Sequence, residues 1–521
     1  MSGNWIDSLV EYFAPHAGLR RRAARGVLAA YEAATPSRQR KFRRDSGGPD
    51  QQVFKGALAI RAQARHLDQN HDISRGIMRT LVNNAVGPNG IGIEPQPRRA
   101  DGTIHEEYAK VLREGWRDWC RAPEVTGRLT WARAQRMMAR TWYRDGEAFA
   151  QELMGAVPFL DHGTRVPYSL ELFEPDMVPM DYTDGDRIRQ GIERNAWGKP
   201  VGYWVYKQHP GDNMTSRGAG GLKRISADRM LHLAFLDRLG QLRGVSEFAS
   251  VITRLEDIKD YEESERVAAK IAAMFTAYIR KGTPELYNPE NTTDKYSDGS
   301  PKPRDMRLSP GTIIDNLVPG EEVGMIDSNR PNPNLITFRQ GQLRAVAAGA
   351  HVSNSSASRD YNGTFSAQRQ ELVEQWVNYA VLTDDFTGQF VQPVWERFVQ
   401  VAHLSGVIPR PADVPEAFSD DALYVAQAMP WIDPYKEAMA WELLAKNGFA
   451  SEIEVMRRRG VNPRDVLEQI TTWRTAAKEK GLVFSSDAAN DTGSASPKTA
   501  AQDSVDGADT SPGGQQPDNQ N

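Results

Sequence analysis

Residues 245–281 read VSEFASVITRLEDIKDYEESERVAAKIAAMFTAYIRK, 37 residues without a glycine or a proline. Gly244 stands before the run and Gly282-Thr283-Pro284 after it. As one helix it would span roughly 55 Å at ~1.5 Å per residue, far beyond the usual globular length of about 8–20 residues. Val245, Phe248, Ile252, Leu255, Ile258 and Tyr261 recur at three- and four-residue steps. The stripe stops at Glu262-Glu263-Ser264-Glu265-Arg266 and resumes at Ala268, Ile271, Phe275 and Tyr278. An apolar stripe with a polar waist predicts a helix that leaves one packed body, crosses a wet zone and enters another. Its neighbours are expected to be other copies of itself, because such a rod has too little to bury alone.

Composition narrows the function. The 521 residues suffice for two or three domains. A net charge of −4 argues against a surface built to grip nucleic acid everywhere, which needs many Lys/Arg–phosphate contacts. The single cysteine, Cys120, excludes an internal disulfide and reads as a structural thiol behind Trp116 and Trp119. No stretch reads as a membrane span: Val267–Ile279, the most apolar helical segment, is too short and holds Lys270.

Outward from the rod, the chain reads as α+β and helix-rich. Residues 1–50 form a basic arm with Arg20, Arg21, Arg22, Arg25, Arg38, Arg40, Lys41, Arg43 and Arg44. Helical periodicity runs from Gln51 to Leu81, His105 to Arg121 and Trp131 to Asp145. Gly87-Pro88-Asn89-Gly90 reads as a turn into a strand at Ile91 and Ile93. Further strands are expected at Ala148–Leu153, Tyr168–Phe173, Arg189–Arg194, Val201–Tyr206 and Met230–Phe235. Beyond the rod, Thr283–Pro333 is rich in Pro, Gly, Asn and Asp, with candidate strands at Thr312–Leu317 and Glu322–Met325. Leu335–Ala350 is helical, Ser353–Gly363 a polar loop, and Phe365–Leu404 and Pro434–Lys480 helical again. Residues 485–521 have no aromatic and six Asp against one Lys, and read as disordered.

Catalytic chemistry is sought in vain. No G-x-x-x-x-G-K-[ST], H-E-x-x-H or C-x-x-C occurs, so no catalytic, cofactor or metal residue is assigned. His232 reads as a satisfied core or interface residue. Asp176, Asp181, Asp184, Asp186 and Glu193 make the densest acidic cluster. A two-metal nuclease needs carboxylates converging on ions about 4 Å apart, which makes a metal-dependent DNA-processing enzyme the alternative reading. The position of Gly185 favours an Asx-type hairpin turn there.

Four blocks carry a resemblance. They are Ile60–His71 running on to Leu81–Gly87 and Gly90–Gly92; Glu174-Pro175-Asp176 with Gly191-Ile192-Glu193 and Pro200–Val205; Gln241-Leu242-Arg243-Gly244-Val245-Ser246; and Leu343–Gly349 with Ser358–Gly363 and Phe365–Arg369. In order and spacing the chain resembles the lambda-type family of tailed-bacteriophage portal proteins over about Leu19–Lys480. One departure is His351–Ala357, polar and small where the family has an aromatic or Leu.

The resemblance implies a non-enzymatic ring, dodecameric, at one capsid vertex of the virion. Double-stranded DNA would be packaged and ejected through it without sequence specificity. Implied partners are the terminase large subunit, the major capsid and scaffolding proteins, and head–tail connector proteins, with assembly in the host cytoplasm. On this plan residues 51–244 are a wing-like α/β domain, 245–281 the stem helix and 282–334 a small clip. Residues 335–404 are a returning stem helix, channel loop and helix, and 405–484 a helical crown. Candidate channel-lining residues are Glu256, Asp257, Asp260, Glu262, Glu263 and Glu265 on the rod and Ser353, Asn354, Ser355 and Ser356 in the loop. Candidate oligomer-packing residues are Leu255, Ile258, Ile271, Phe275 and Tyr278.

Overall fold

A computed structural model describes residue 16 and residues 47–212, 221–274, 278–281, 297–298, 321–324, 332, 334–429 and 433–482. The side chains of 271–274, 278–281 and 321–324 lie outside that description. So do most of the basic arm, the expected strand Thr312–Leu317 and the tail 485–521. The chain divides into two units at Gln427/Ala428.

The first unit opens with helices α1 (Pro49–Asn70) and α2 (Asp72–Ala85). The helical run expected from Gln51 to Leu81 breaks at His71, whose φ of −119° and ψ of 119° are extended. The break turns the His71 ring inward. Strand β1 (Gly92–Pro95) is followed by α3 (Glu106–Trp119) and α4 (Trp131–Asp145). Gly146 ends α4 in the left-handed region at φ 88°. Then come β2 (Glu147–Met154), β3 (Tyr168–Phe173), β4 (Ile188–Arg189), β5 (Ile192–Arg194), β6 (Pro200–Val205), β7 (Lys223–Ser226) and β8 (Met230–Ala234). They form two antiparallel sheets, ordered β3-β2-β8 and β4-β5-β6-β7. Between them Phe149, Ile192, Tyr203, Val205 and Met230 make a small core.

Aromatic side chains centre the larger core. Trp116 stacks on Trp119 at 4.7 Å and meets Trp395 edge-on at 5.3 Å, while Trp142 stacks on Phe235 at 4.0 Å. Such pairs add about 0.5–1.5 kcal/mol each beyond the area they bury. Cys120 is partly buried against this core.

The rod is shorter than its sequence suggests. Ser246 caps a 3-10 turn at Glu247–Ser250, and the α-helix α5 runs Ile252–Met274, 23 residues. Tyr278–Lys281 is not helical but strand β9, paired antiparallel with β10 (Glu321–Gly324). Absence of Gly and Pro permits a helix, but the β-branched and aromatic residues at Tyr278 and Ile279 also suit a ladder when a partner strand is at hand. The expected strand Glu322–Met325 is thus present, one residue earlier.

Helix α6 (Leu335–Gly349) follows. The segment expected as a loop from Ser353 contains a short helix, α7 (Asn354–Ser358), because Ser353 accepts the Ser356 N–H as an N-cap. Next are α8 (Phe365–Phe386), a π-turn at Thr387–Val391 and α9 (Gln392–Leu404). Pro393, in the first turn of α9, has no N–H for an i→i−4 bond, and the helix widens just before it. Residues 405–427 do not belong with a terminal helical region: β11 (Ala422–Val425) pairs with β1, a long-range ladder invisible to local pattern.

The second unit holds α10 (Pro434–Lys446), α11 (Glu452–Arg458) and α12 (Pro463–Glu479), with Asp433, Ser451 and Asn462 as N-caps.

Candidate functional site

The exposed acidic face of α5 and the parts that root it form the candidate site. Ile252, Leu255 and Ile258 face the chain's own core, and Leu255 is fully buried. That corrects the expectation that Leu255 and Ile258 pack against another copy: the core of their own subunit already covers them. Ile271, Phe275 and Tyr278 have side chains outside the described residues. On the opposite side Glu256, Asp257, Asp260 and Glu263 are exposed, while Glu262 and Glu265 are half-buried. Four exposed carboxylates thus share one helix face, with the apolar side turned inward.

Helix α6 runs antiparallel along α5. Ser250 Oγ donates to Gly349 O (3.4 Å), Arg254 Nη1 to Gln342 Oε1 (3.0 Å) and Arg339 Nε to Glu262 Oε1 (2.5 Å). The Tyr261 and Phe338 rings lie 4.9 Å apart. Glu262, expected to line a channel, is therefore engaged by Arg339.

The Ser353–Ser356 segment is pinned. Ser355 N donates to Glu371 Oε1 (3.1 Å) and its hydroxyl bonds the same carboxylate. Gln375 Nε2 donates to His351 O (2.7 Å), and Arg359 Nη2 to Thr80 Oγ1 (3.2 Å). Ser353, Asn354, Ser355 and Ser356 are half-buried, whereas Tyr361, Asn362, Gly363, Thr364 and Phe365 form the exposed tip. The expected channel loop Ser353–Gly363 thus has an anchored start and an exposed end.

A buried ionic network holds the base of α5. Glu147, with 0% side-chain exposure, accepts from Arg61 Nη2 (2.9 Å), Arg243 Nη2 (2.6 Å), Gly244 N (2.9 Å) and His232 Nε2 (3.2 Å). Arg243 also donates to Gln190 O (2.8 Å) and Val178 O (3.2 Å). Burial pushes the Glu147 pKa up, but Arg243, His232 and Arg61 together outweigh it and hold the carboxyl well below its ordinary range. Burial lowers the His232 pKa against the pull of Glu147. His232 is a satisfied core histidine, as its setting in an apolar strand suggested.

The network spreads along α1. Arg65 pairs with Asp145 (2.7 Å) and Asp176, Asp68 pairs with Arg140 (2.6 Å), and His71 Nε2 donates to Leu255 O on α5 (3.0 Å). The blocks Ile60–His71 and Gln241–Ser246 thus meet in space. Local spacing gave no sign that Glu147 joins them. The available signal was an acid at the start of the strand EAFAQELM, on the face it shares with Phe149 and Leu153.

The acidic cluster does not converge. Asp181, Asp184 and Asp186 are exposed around the Asp184–Ile188 turn, and Glu193 is paired with Arg224 (2.7 Å) and Arg187 (3.0 Å). Glu174, Asp176 and His209 place ligand-type atoms within 4.8 Å of one another. Arg65 contacts both carboxylates there, Arg61 lies 3.8 Å from Asp176 and Arg144 3.5 Å from Glu174, so the local positive charge already present opposes a cation.

Residues 35–382 match the family described as phage portal protein, lambda family. The probable portal protein of Halomonas phage phiHAP-1 is 26% identical, with 84% of each chain covered. The portal protein of Escherichia phage N15 is 20% identical over 82% of this chain and 79% of its own. Portal protein B of Escherichia phage lambda is 20% identical over 58% and 64%. Among solved structures, a chain in the neck of a native gene transfer agent particle computed with C12 symmetry matches with a TM-score of 0.39 and 14% identity, covering 81% of this chain and 96% of that one. A chain in the virion of the native gene transfer agent matches with a TM-score of 0.41 and 13% identity, covering 84% and 99%.

Proposed function

The chain belongs to the lambda family of phage portal proteins and functions as a capsid portal, and from that premise we propose that identical copies, twelve in the closed form, stand around a shared axis as a channel for phage DNA. Portal proteins are structural, and the work here is positioning rather than bond-making. In the proposed ring α5 and α6 form the stem, β9 and β10 open the clip, and the second unit is crown-like. DNA passes in both directions, driven inward by a separate terminase. Major capsid and scaffolding proteins surround the ring during assembly in the host cytoplasm, and connector proteins dock after filling.

The observation that carries this reading is the exposed row Glu256, Asp257, Asp260 and Glu263 on a helix whose other side is locked into the core. A wall of Lys and Arg would hold DNA through released counterions and stall it, whereas carboxylates let it slide. The exposed tip Tyr361–Phe365 replaces Ser353–Ser356 as the proposed segment nearest DNA. Negative-stain images and native mass of the purified chain test the ring: annular particles with a central hole are expected, and a monomer under all conditions counts against it. Incubation with DNA and Mg²⁺ or Mn²⁺ tests the alternative of a metal-dependent DNA-processing enzyme, which absence of cleavage removes.

A further inference from the structure

A cavity of about 520 Å³ lies within the first unit, between α9, the end of β2, the turn before β8 and the segment 410–420. Small-molecule sites span ~300–1,000 Å³ and combine an apolar wall with a few convergent polar groups. Here Pro393, Val399 and Leu404 supply an aliphatic wall. The charged lining is unbalanced: Glu152, Asp228, Glu396, Glu416 and Asp420 stand against two guanidiniums, Arg397 and Arg410. His403 adds no charge, because its Nδ1 accepts the Arg410 N–H (3.2 Å). Five carboxylates against two guanidiniums leave the cavity at −3.

Little in the chain answers that charge. Glu152 is 2% exposed and has the Tyr168 hydroxyl (2.8 Å) and one Arg397 contact (3.3 Å) as partners. Burial outweighs both and raises its pKa. The Asp420 carboxyl is raised as well, first by burial and then by Glu396, Asp421 and Glu416. Glu396 accepts from the Gln392 amide (2.8 Å), and among the described residues no Lys or Arg pairs with Glu396, Glu416 or Asp420. A compact metal ion does not suit the geometry. Among the described residues three ligand-type groups converge only at Glu174, Asp176 and His209, outside this cavity. A cation that answers these carboxylates carries its charges apart, joined by an apolar stem.

We propose that the cavity binds a linear aliphatic polyamine, with its ammonium groups on Glu396, Glu416 and Asp420 and its methylene chain along Pro393, Val399 and Leu404. Glu152 deepens the negative potential at the buried end. Charge-assisted hydrogen bonds are about twice as strong as neutral ones, and a partly enclosed site screens them less than open water does. A bound ammonium favours the charged forms of Glu152 and Asp420, so uptake releases protons where those groups are partly protonated. Every lining residue belongs to one chain, so the site does not depend on the ring.

The test uses the full chain and spermidine. Equilibrium dialysis should find one saturable site per subunit, with butylamine and Mg²⁺ each binding there about tenfold more weakly or worse. Glu396→Gln with Asp420→Asn should weaken spermidine by about tenfold. Glu416→Lys should do the same, because it places a tethered ammonium in the site. Glu416 is exposed, so that variant is expected to fold even where the double variant does not; far-UV circular dichroism checks this. Replacing Glu256 and Asp260 by Gln on the exposed face of α5 should leave the affinity unchanged. Undiminished affinity in a folded Glu416→Lys chain would overturn the proposal. So would many spermidines per subunit, all displaced by Mg²⁺, which would assign the binding to diffuse surface charge. Equal affinity for butylamine would overturn it in favour of a single-ammonium site of the kind a lysine side chain fills. Absence of any saturable uptake would overturn it outright and leave the ring reading untouched.

Discussion

Arg243 and Glu147, 96 positions apart, meet edge to edge with both side chains fully buried: Nε lies 3.0 Å from Oε1 and 2.9 Å from Oε2, and Nη2 lies 2.6 Å from Oε1. The pair ties the first strand of the sheet to the residue that precedes the root of α5. A buried pair gains little over an apolar substitute but is costly to halve. Arg243→Ala should therefore destabilise the first unit by about 3–5 kcal/mol, because Glu147 keeps its charge without its main partner. Urea unfolding followed by tryptophan fluorescence reads this directly. An unchanged midpoint would show that water or Arg61 replaces Arg243.

His232 sets a pH dependence. Its side chain is 11% exposed, and its pKa is lowered below the ordinary 6.5 chiefly by burial. The native state thus binds fewer protons there than the unfolded chain does. Its contribution is present above pH 6.5 and is lost as the pH falls through the lowered native value. Glu147, also depressed, keeps its contribution to lower pH still. The melting temperature should fall on acidification below pH 6.5, and His232→Gln should flatten that slope. Equal slopes in the two proteins would assign the effect elsewhere.

Gly146 and Gly244 approach so closely that no side chain fits. A Cβ on Gly244 would stand 2.0 Å from Gly146 O, and one on Gly146 would meet Val245 C at 2.2 Å. Gly146 also has a positive φ of 88°. Gly244→Ala should cost more than ~1 kcal/mol, the usual gain of Ala over Gly being reversed by the clash. Wild-type stability of that variant would mean the two segments separate easily at this point.

The acidic face makes a prediction about DNA. Replacing Glu256, Asp257, Asp260 and Glu263 by Lys should leave monomer stability near native, since these residues are exposed. It should convert weak DNA association into tight binding whose logarithm falls with log salt by about 0.9 for each phosphate engaged. Filter binding across a salt series measures both. If the variant binds DNA no better than the native protein, that face does not meet DNA.

The contact between α5 and α6 is expected to be modest but real. Tyr261→Ala removes the ring pair with Phe338 and should cost about 0.5–1.5 kcal/mol. A double-mutant cycle with Phe338→Ala separates the pair from the area each ring buries. Coupling near zero would show two rings that merely lie side by side.

Local pattern was enough for much of this fold. Trp131–Asp145 and Tyr168–Phe173 have the ends their periodicity assigned, because caps, turn glycines and apolar spacing all act within a few residues. The helix N-terminal to Met274, its polar waist and the family blocks were equally readable. Tertiary contact decided the rest. The strand at Tyr278–Lys281 exists through its partner at Glu321–Gly324, β11 exists through β1, and the break at His71 is held by a bond to Leu255 O. Leu255 and Ile258 looked free for a neighbour until the core of their own chain was seen to cover them. The charge network was illegible for the same reason. Sequence records which groups a residue carries and what its near neighbours favour, while the meeting of Glu147 with Arg61, His232 and Arg243 depends on where four distant segments cross.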